Sequence, residues 1–311
     1  MSYPPPTEHG SAALDLSHYF HPDTYWDSPW YAEEHAKPPP LRDNTNIMWT
    51  GQYSYRGTRK SMNIVVMFSD LSMCWFSVSY NSQPLTDPAN TERHAEYVPS
   101  PEPLSKEQLL EAHETYGETI AAFAESFLGS GQFCSRGECW DLAHEALKYF
   151  EQYDYVPKPI PSIHRTHGHL IFEGRANGKN NQVGRWRGGD DRVRRGDIVE
   201  WRSVKINFVG AQPGSWATLG DPEHTAVIVQ DAVPTRTPHD GESLLPSEFM
   251  QLSVVEQSRN QPPEPKAQTY DMKAFEEGEV WIYRPVSMVG YLGVPAISAT
   301  PPEGAATHKF C

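Results

Sequence analysis

The sequence predicts an α+β fold in which two helices precede a run of antiparallel strands. Three observations support this. A capping box at Ser105 opens a helical period, a glycine turn precedes a second helical period at Cys139, and short runs rich in β-branched and aromatic residues follow Tyr155. The chain has 311 residues, 38% of them hydrophobic, which suits one large domain or two small ones. We assign the α+β domain to residues 101–290.

The residues outside this domain fall into three segments. Residues 1–46 are rich in proline, histidine and aromatic residues without a helical or strand period, which predicts an arm of polyproline character. Residues 47–100 predict a small β-rich unit that ends in a proline-rich linker. Residues 291–311 predict a flexible tail. The β-rich runs of the second segment are Ile47–Tyr55, Met62–Phe68 and Cys74–Tyr80.

Within the α+β domain, the first predicted helix begins after Ser105, which forms a capping box with Gln108. Apolar residues recur at helical spacing until the glycines at 129 and 131 end the pattern. The second helix begins near Cys139 and continues to Phe150. Five strands are predicted after it: His169–Glu173, Asp197–Phe208, His224–Asp231, Gln251–Gln257 and Glu279–Arg284.

Charge and composition exclude several functions. The formal net charge of −14 disfavours nucleic acid and anionic membrane surfaces as partners. No apolar run approaches the ~20 residues of a membrane helix, so no membrane insertion is expected. The four cysteines are too few for a disulfide framework, and the first residues lack a secretory signal. We therefore expect a cytoplasmic protein, and the glycine pairs fit no phosphate loop, so we expect no cofactor.

The richest chemical signal is the segment from Gly131 to Asp141, which places Cys139 at the first turn of a helix. The free N–H groups and the dipole of a helix N-terminus stabilise a thiolate there. A nucleophilic cysteine also needs a base, usually a histidine on another element. Of the 13 histidines, His224 has the most suitable setting, because it opens a strand whose following residues are apolar. Glu256 ends the next predicted strand and could orient the imidazole.

Five strings occur in an order that resembles the papain-like superfamily, and most closely its CHAP and NlpC-type branch. The strings are Gly137-Glu-Cys-Trp140, Gly196-Asp-Ile-Val-Glu-Trp201, His224-Thr-Ala-Val-Ile-Val229, Val254-Val-Glu-Gln257 and Trp281-Ile-Tyr-Arg-Pro285. They also resemble the cysteine-proteinase-fold domain at the C-terminus of fungal myosin-tail-region-interacting proteins of the cortical actin patch. The resemblance covers about the last two thirds of the chain.

The resemblance implies a papain-like fold, with helices packed on an antiparallel sheet, and a Cys-His-Glu triad. Cys139 would be the nucleophile, His224 the general base and Glu256 the orienting residue. Gln132 and the Cys139 backbone N–H would supply an oxyanion hole. The expected activity is cleavage of an amide or isopeptide bond in a peptide or protein.

Several alternatives remain open. The domain could be a non-catalytic interaction module that keeps the protease fold, or a redox-sensing protein that uses Cys134 and Cys139. His167 or His169 could replace His224 as the base. The histidines at 164, 167 and 169 suggest zinc, but no second half-site accompanies them, so no metal is expected. A cluster of arginines predicts a solvated loop or a docking site for an acidic peptide: Arg185, Arg187, Arg192, Arg194 and Arg195.

Overall fold

A computed structural model describes residues 6–178, 180–188, 190–212, 214–259 and 263–309. The first residues of the predicted arm, the end of the predicted tail and Cys311 therefore lie outside the described residues. The chain divides into two compact units. The first comprises Met1–Glu102 and Met288–Cys311, and the second comprises Pro103–Ser287.

The first unit contains one antiparallel five-stranded sheet of order β1-β2-β3-β4-β12, with strands numbered along the whole chain. Its strands are β1 Ile47–Arg56, β2 Arg59–Phe68, β3 Met73–Asn81, β4 Glu92–Val98 and β12 His308–Lys309. Its helices are α1 Ala12–Tyr19 and α4 Met288–Leu292. The three predicted β-rich runs are confirmed as β1, β2 and β3.

The core of this unit is aromatic, and it explains two differences from the sequence-based expectations. Phe20, which follows α1, stacks on Phe76 of β3 at a ring distance of 4.1 Å. The eight residues of α1 are too few for a clear period, so packing rather than propensity stabilises the helix. Strand β4 buries only one side chain, that of Ala95, so its sequence resembles a linker. It nevertheless pairs with β3 along its whole length. The expectation of irregular structure was therefore wrong at α1 and β4.

The second unit has two helices and an antiparallel seven-stranded sheet of order β10-β9-β8-β7-β11-β5-β6. The helices are α2 Lys106–Glu125 and α3 Cys139–Lys148. The strands are β5 His169–Asn177, β6 Gln182–Trp186, β7 Ile198–Phe208, β8 Ala217–Ile228, β9 Gln251–Glu256, β10 Lys266–Asp271 and β11 Glu277–Arg284. Strand β10 pairs with both β9 and the end of β7, so these strands close on one another there.

Helices α2 and α3 pack on the central strands and bury one apolar core. Ser105 caps α2 through the predicted capping box, because its hydroxyl accepts from the Gln108 N–H while the Gln108 side chain accepts from the Ser105 N–H. Both predicted helices and all five predicted strands are confirmed, and so is the α+β fold. Strands β6 and β10 are additional. None of the helices in the described part of the chain is long and apolar enough to cross a membrane.

A fully buried arginine, Arg284, joins two of the strings recognised in the sequence. Its Nε and Nη2 donate to the two carboxylate oxygens of Asp197, each at 2.9 Å, and its Nη1 donates to Asp190. Arg194 also donates to Asp190, at 2.6 Å. The buried charges are thus compensated within one network, which fixes β11 against the turn before β7.

The arginine cluster predicted as a solvated loop or docking site carries its own counter-charges. Arg192 bonds Asp191, and Arg195 binds Glu118 and Glu125 of α2, with N–O distances of 2.8 and 2.6 Å. These arginines therefore attach the loop to the body of the unit.

Candidate active site

Three elements of the second unit bring the predicted triad residues together. Cys139 is the first residue of α3, His224 lies in β8 and Glu256 is the last residue of β9. Strands β8 and β9 are antiparallel neighbours that pair at Val227 and Val255. His224 and Glu256 therefore lie at the same end of this strand pair.

The imidazole of His224 is oriented by a buried carboxylate. Its Nε2 lies 2.9 Å from Oε2 of Glu256. The hydroxyl of Tyr270, on β10, donates to both oxygens of the same carboxylate at 2.8 and 2.9 Å. Burial and the adjacent Glu256 charge raise the pKa of Tyr270 far above its usual range, so the phenol stays a donor. Glu256 is thus held from both sides.

The side chain of Cys139 lies close enough to the same imidazole to influence its pKa. Since Nε2 faces Glu256, Nδ1 is the nitrogen available to the thiol. Burial favours the neutral ring, but the interactions with Cys139 and Glu256 outweigh it and raise the pKa of His224 to about 10. The imidazole therefore holds a proton across neutral pH, next to a half-buried thiol.

The loop before Cys139 is fixed by a buried amide, that of Gln257. Its Oε1 accepts from the Cys134 N–H at 3.0 Å, and its Nε2 donates to the carbonyls of Cys134 and Glu138 at 3.0 and 2.8 Å. Gln257 directly follows Glu256 in the chain. The end of one strand therefore fixes the loop before Cys139 and orients the imidazole of His224.

A second brace comes from Asp141, in the first turn of α3. Its buried carboxylate accepts from the backbone N–H groups of Arg136 and Glu138 at 3.0 and 3.2 Å. The Arg136 guanidinium also donates to it, at 2.6 Å. The carboxylate thus satisfies donors at the start of the helix, where a negative charge is favoured.

We expect Gln257→Leu to lower the free energy of unfolding by about 2–3 kcal/mol, because it leaves buried polar groups of Cys134 and Glu138 unsatisfied. Urea denaturation measures this. Gln251→Leu is the matched control, because Gln251 is exposed on the same strand, and its effect should stay within about 0.5 kcal/mol. Equal effects of the two substitutions would contradict the role of Gln257 in fixing the loop before Cys139.

Gln132, the predicted oxyanion donor, is exposed on the loop between α2 and α3. Its backbone N–H donates to the Ser130 hydroxyl at 3.2 Å, and its carbonyl accepts from the same hydroxyl at 3.2 Å. These bonds fix the backbone of this turn. The oxyanion role of the side chain remains a prediction.

The alternative bases His167 and His169 are buried in other surroundings. The two ring nitrogens of His167 lie 2.8 Å from the Ser162 hydroxyl and 3.4 Å from Glu200. Burial lowers the pKa of His167 to about 3, and burial together with nearby arginines lowers that of His169 to about 4. Neither ring therefore accepts a proton readily near neutral pH, whereas His224 does.

Two alternatives from the sequence, a zinc site and a redox-active pair of cysteines, can be compared with the structure. In the described ranges, no group of three or more histidine, cysteine or acidic residues could hold a metal ion. Cys134 is a buried free thiol whose Sγ faces the Asp141 carbonyl at 4.0 Å. Burial raises the pKa of Cys134 to about 12, so it is a poor partner for thiol exchange.

Residues beside the triad form a polar wall that sequence reasoning did not identify. The Trp140 indole N–H donates to the His164 carbonyl at 2.9 Å. Glu223, next to His224, pairs with His164 at 3.2 Å and with Arg165 at 3.0 Å. These contacts connect Trp140, which follows Cys139, with Glu223, which precedes His224.

The fold is that of a cysteine-proteinase-fold domain. The chain belongs to the AIM3/BBC1 cysteine proteinase-fold domain family. The sequence model of this family matches residues 91–296, which are about two thirds of the chain. A curated protein of Debaryomyces hansenii, altered inheritance of mitochondria protein 3, is 29% identical over 237 residues. The match covers 73% of this chain but 23% of that protein, so the chain spans about a quarter of its relative. No solved structure matches the chain.

Proposed function

We propose that this chain is a cysteine hydrolase that cleaves amide or isopeptide bonds in a peptide or protein. The observation that supports this best is the 2.9 Å hydrogen bond between His224 and Glu256, with the Cys139 side chain near the same imidazole. A nucleophile, a base and an orienting carboxylate in this order are what acyl transfer requires.

In the first step the thiolate of Cys139, whose proton His224 already holds at Nδ1, attacks the carbonyl carbon of the substrate. The carbonyl oxygen becomes negative as the carbon–sulfur bond forms. The imidazolium then gives its proton to the amine nitrogen, the carbon–nitrogen bond breaks, and an acyl-enzyme remains. Glu256 stabilises the imidazolium throughout, and Tyr270 keeps that carboxylate in place.

In the second step His224 removes a proton from water, and the hydroxide attacks the thioester. The carbon–sulfur bond breaks, the sulfur regains its proton from the imidazolium, and a carboxylic acid leaves. The oxyanion of both steps would lie beside the Cys139 backbone N–H at the start of α3, where the helix dipole favours negative charge. We assign the second donor to the side chain of Gln132.

We expect Glu256→Gln to reduce the alkylation rate of Cys139 about ten-fold at pH 6.5 and little at pH 10. Without the carboxylate, the pKa of His224 falls, so the ring holds the thiol proton less well at neutral pH. At pH 10 hydroxide itself is abundant enough to remove a proton from an ordinary thiol, so the loss of the base should matter less. Iodoacetamide labelling, followed by peptide mass analysis, measures the rate at each pH.

Glu223→Gln is the matched control, since Glu223 adjoins His224 in sequence but pairs with Arg165 and His164. It should change the rate less than two-fold. Equal losses in both variants, or no loss in either, would contradict the proposed triad. A thiol that reacts as slowly as a free cysteine would favour the non-catalytic interaction module.

A further inference from the structure

The first unit contains an aromatic cavity that is unrelated to the triad. Its volume is about 110 Å³, several times what a single water molecule needs. Tyr31, Tyr53, Tyr55 and Tyr80 line it. Tyr31 and Tyr80 are buried with their ring centres 4.9 Å apart, whereas Tyr55 is more than half exposed. The cavity therefore has an aromatic floor and an open side.

Strand register explains why these rings meet. Tyr55 of β1 lies opposite Lys60 of β2, which lies opposite Tyr80 of β3. Directly opposed residues point to the same face of a sheet, and Tyr53, two residues from Tyr55, shares that face. The segment from Tyr31 to Glu34 covers the face at this corner.

The cavity favours a positive charge. Glu33 and Glu34 are exposed residues that line it. Lys60 also lines the cavity, with its ammonium 5.5 Å from the centre of the Tyr55 ring, so the lining carries two carboxylates against one ammonium. Burial, the other phenols and Glu34 together raise the pKa of Tyr80, and burial, Tyr55 and Glu34 raise that of Tyr53. The phenols of Tyr53 and Tyr80 thus stay neutral.

We propose that this cavity binds an organic cation, the ammonium or guanidinium side chain of a basic peptide. Tyrosine faces attract such cations through their quadrupoles, and Glu33 and Glu34 add Coulomb attraction at the entrance. A neutral apolar side chain would gain only the burial of its surface. The net charge of −14 would also draw a basic partner to the protein. The site is independent of the proposed hydrolase activity.

A titration of the full chain with Nα-acetyl-trimethyl-lysine amide, followed by NMR of the tyrosine rings, tests the proposal. The control ligand replaces the quaternary nitrogen by carbon, which keeps the shape and removes the charge. We expect saturable binding that is about ten-fold tighter for the cation. Equal affinities for the two ligands would show that the cavity recognises apolar shape and not charge, and would overturn the proposal. The absence of saturable binding would also overturn it.

Variants locate the site. Tyr55→Leu and Glu34→Gln change exposed residues, so folding is not at risk, and each should weaken binding of the cation about three-fold or more. Tyr25→Leu is the control, because Tyr25 is an exposed tyrosine of the same unit that does not line the cavity. Loss of binding in the control, or unchanged binding in both test variants, would also overturn the proposal.

Discussion

Replacement of Cys139 by alanine is expected to abolish labelling of the folded protein by iodoacetamide and to abolish any hydrolysis. Cys74 and Cys134 are buried, and burial raises the pKa of both thiols, that of Cys134 to about 12. Among the described cysteines, only the half-buried Cys139 lies next to a base. Intact-mass measurement of the labelled protein checks this, with Cys311→Ser in every variant because that thiol lies outside the described residues.

Cys134→Ala is the matched control for this prediction, since Cys134 lies five residues earlier and is buried. Its labelling should equal that of the parent protein. Circular dichroism should show that both alanine variants stay folded, because Cys139 lies at the start of α3 outside the buried core and Cys134→Ala removes only one buried sulfur from that core. Persistent labelling in folded Cys139→Ala protein would refute the assignment of the nucleophile.

The largest expected loss of stability follows Arg284→Met. This change removes a fully buried guanidinium, leaves the buried carboxylate of Asp197 without its main partner and leaves that of Asp190 paired with Arg194 alone. Breaking a buried ion pair from one side costs about 3–5 kcal/mol, because the remaining charge has lost its compensation. Urea denaturation of the full chain, measured near neutral pH, should show a decrease of this size in the free energy of unfolding.

Arg236→Met gives the comparison at the surface. Arg236 also pairs with two carboxylates, those of Glu242 and Glu248, but its side chain is 40% exposed. Exposed ion pairs contribute about 0–1 kcal/mol, so this substitution should have little effect. Similar losses in the two variants would show that the Arg284 network does not fix β11 as its contacts indicate.

The elements that the sequence predicts well are those with local signals. The capping box at Ser105 and the helical period after it define α2, and runs of β-branched and aromatic residues define β2 and β3. The triad candidates came from local positions, the start of a predicted helix and the ends of two predicted strands, and the order of five short strings supported them. The structure brings the three residues together, with His224 hydrogen-bonded to Glu256 and the side chain of Cys139 near the same imidazole.

What the sequence does not reveal depends on contacts between distant residues. Gln257 reads as an ordinary strand-end residue, yet its amide binds a loop more than a hundred residues away. Tyr270 donates a hydrogen bond to Glu256 from β10. The polar composition of β10 gives no strand signal in the sequence. In both cases the tertiary fold, not the local sequence, creates the role. The position of Gln257 directly after Glu256 was the one available signal.

The pH dependence of Cys139 alkylation in the wild-type chain tests the central claim most directly. A free cysteine reacts roughly 80-fold more slowly at pH 6 than at pH 8, because its thiolate is scarce below a pKa of about 8.5. If His224, with its pKa raised to about 10, holds the proton of Cys139, the thiolate persists at pH 6. The rate at pH 6 should then stay within about three-fold of the rate at pH 8. A drop as steep as that of a free cysteine would contradict a Cys139–His224–Glu256 triad.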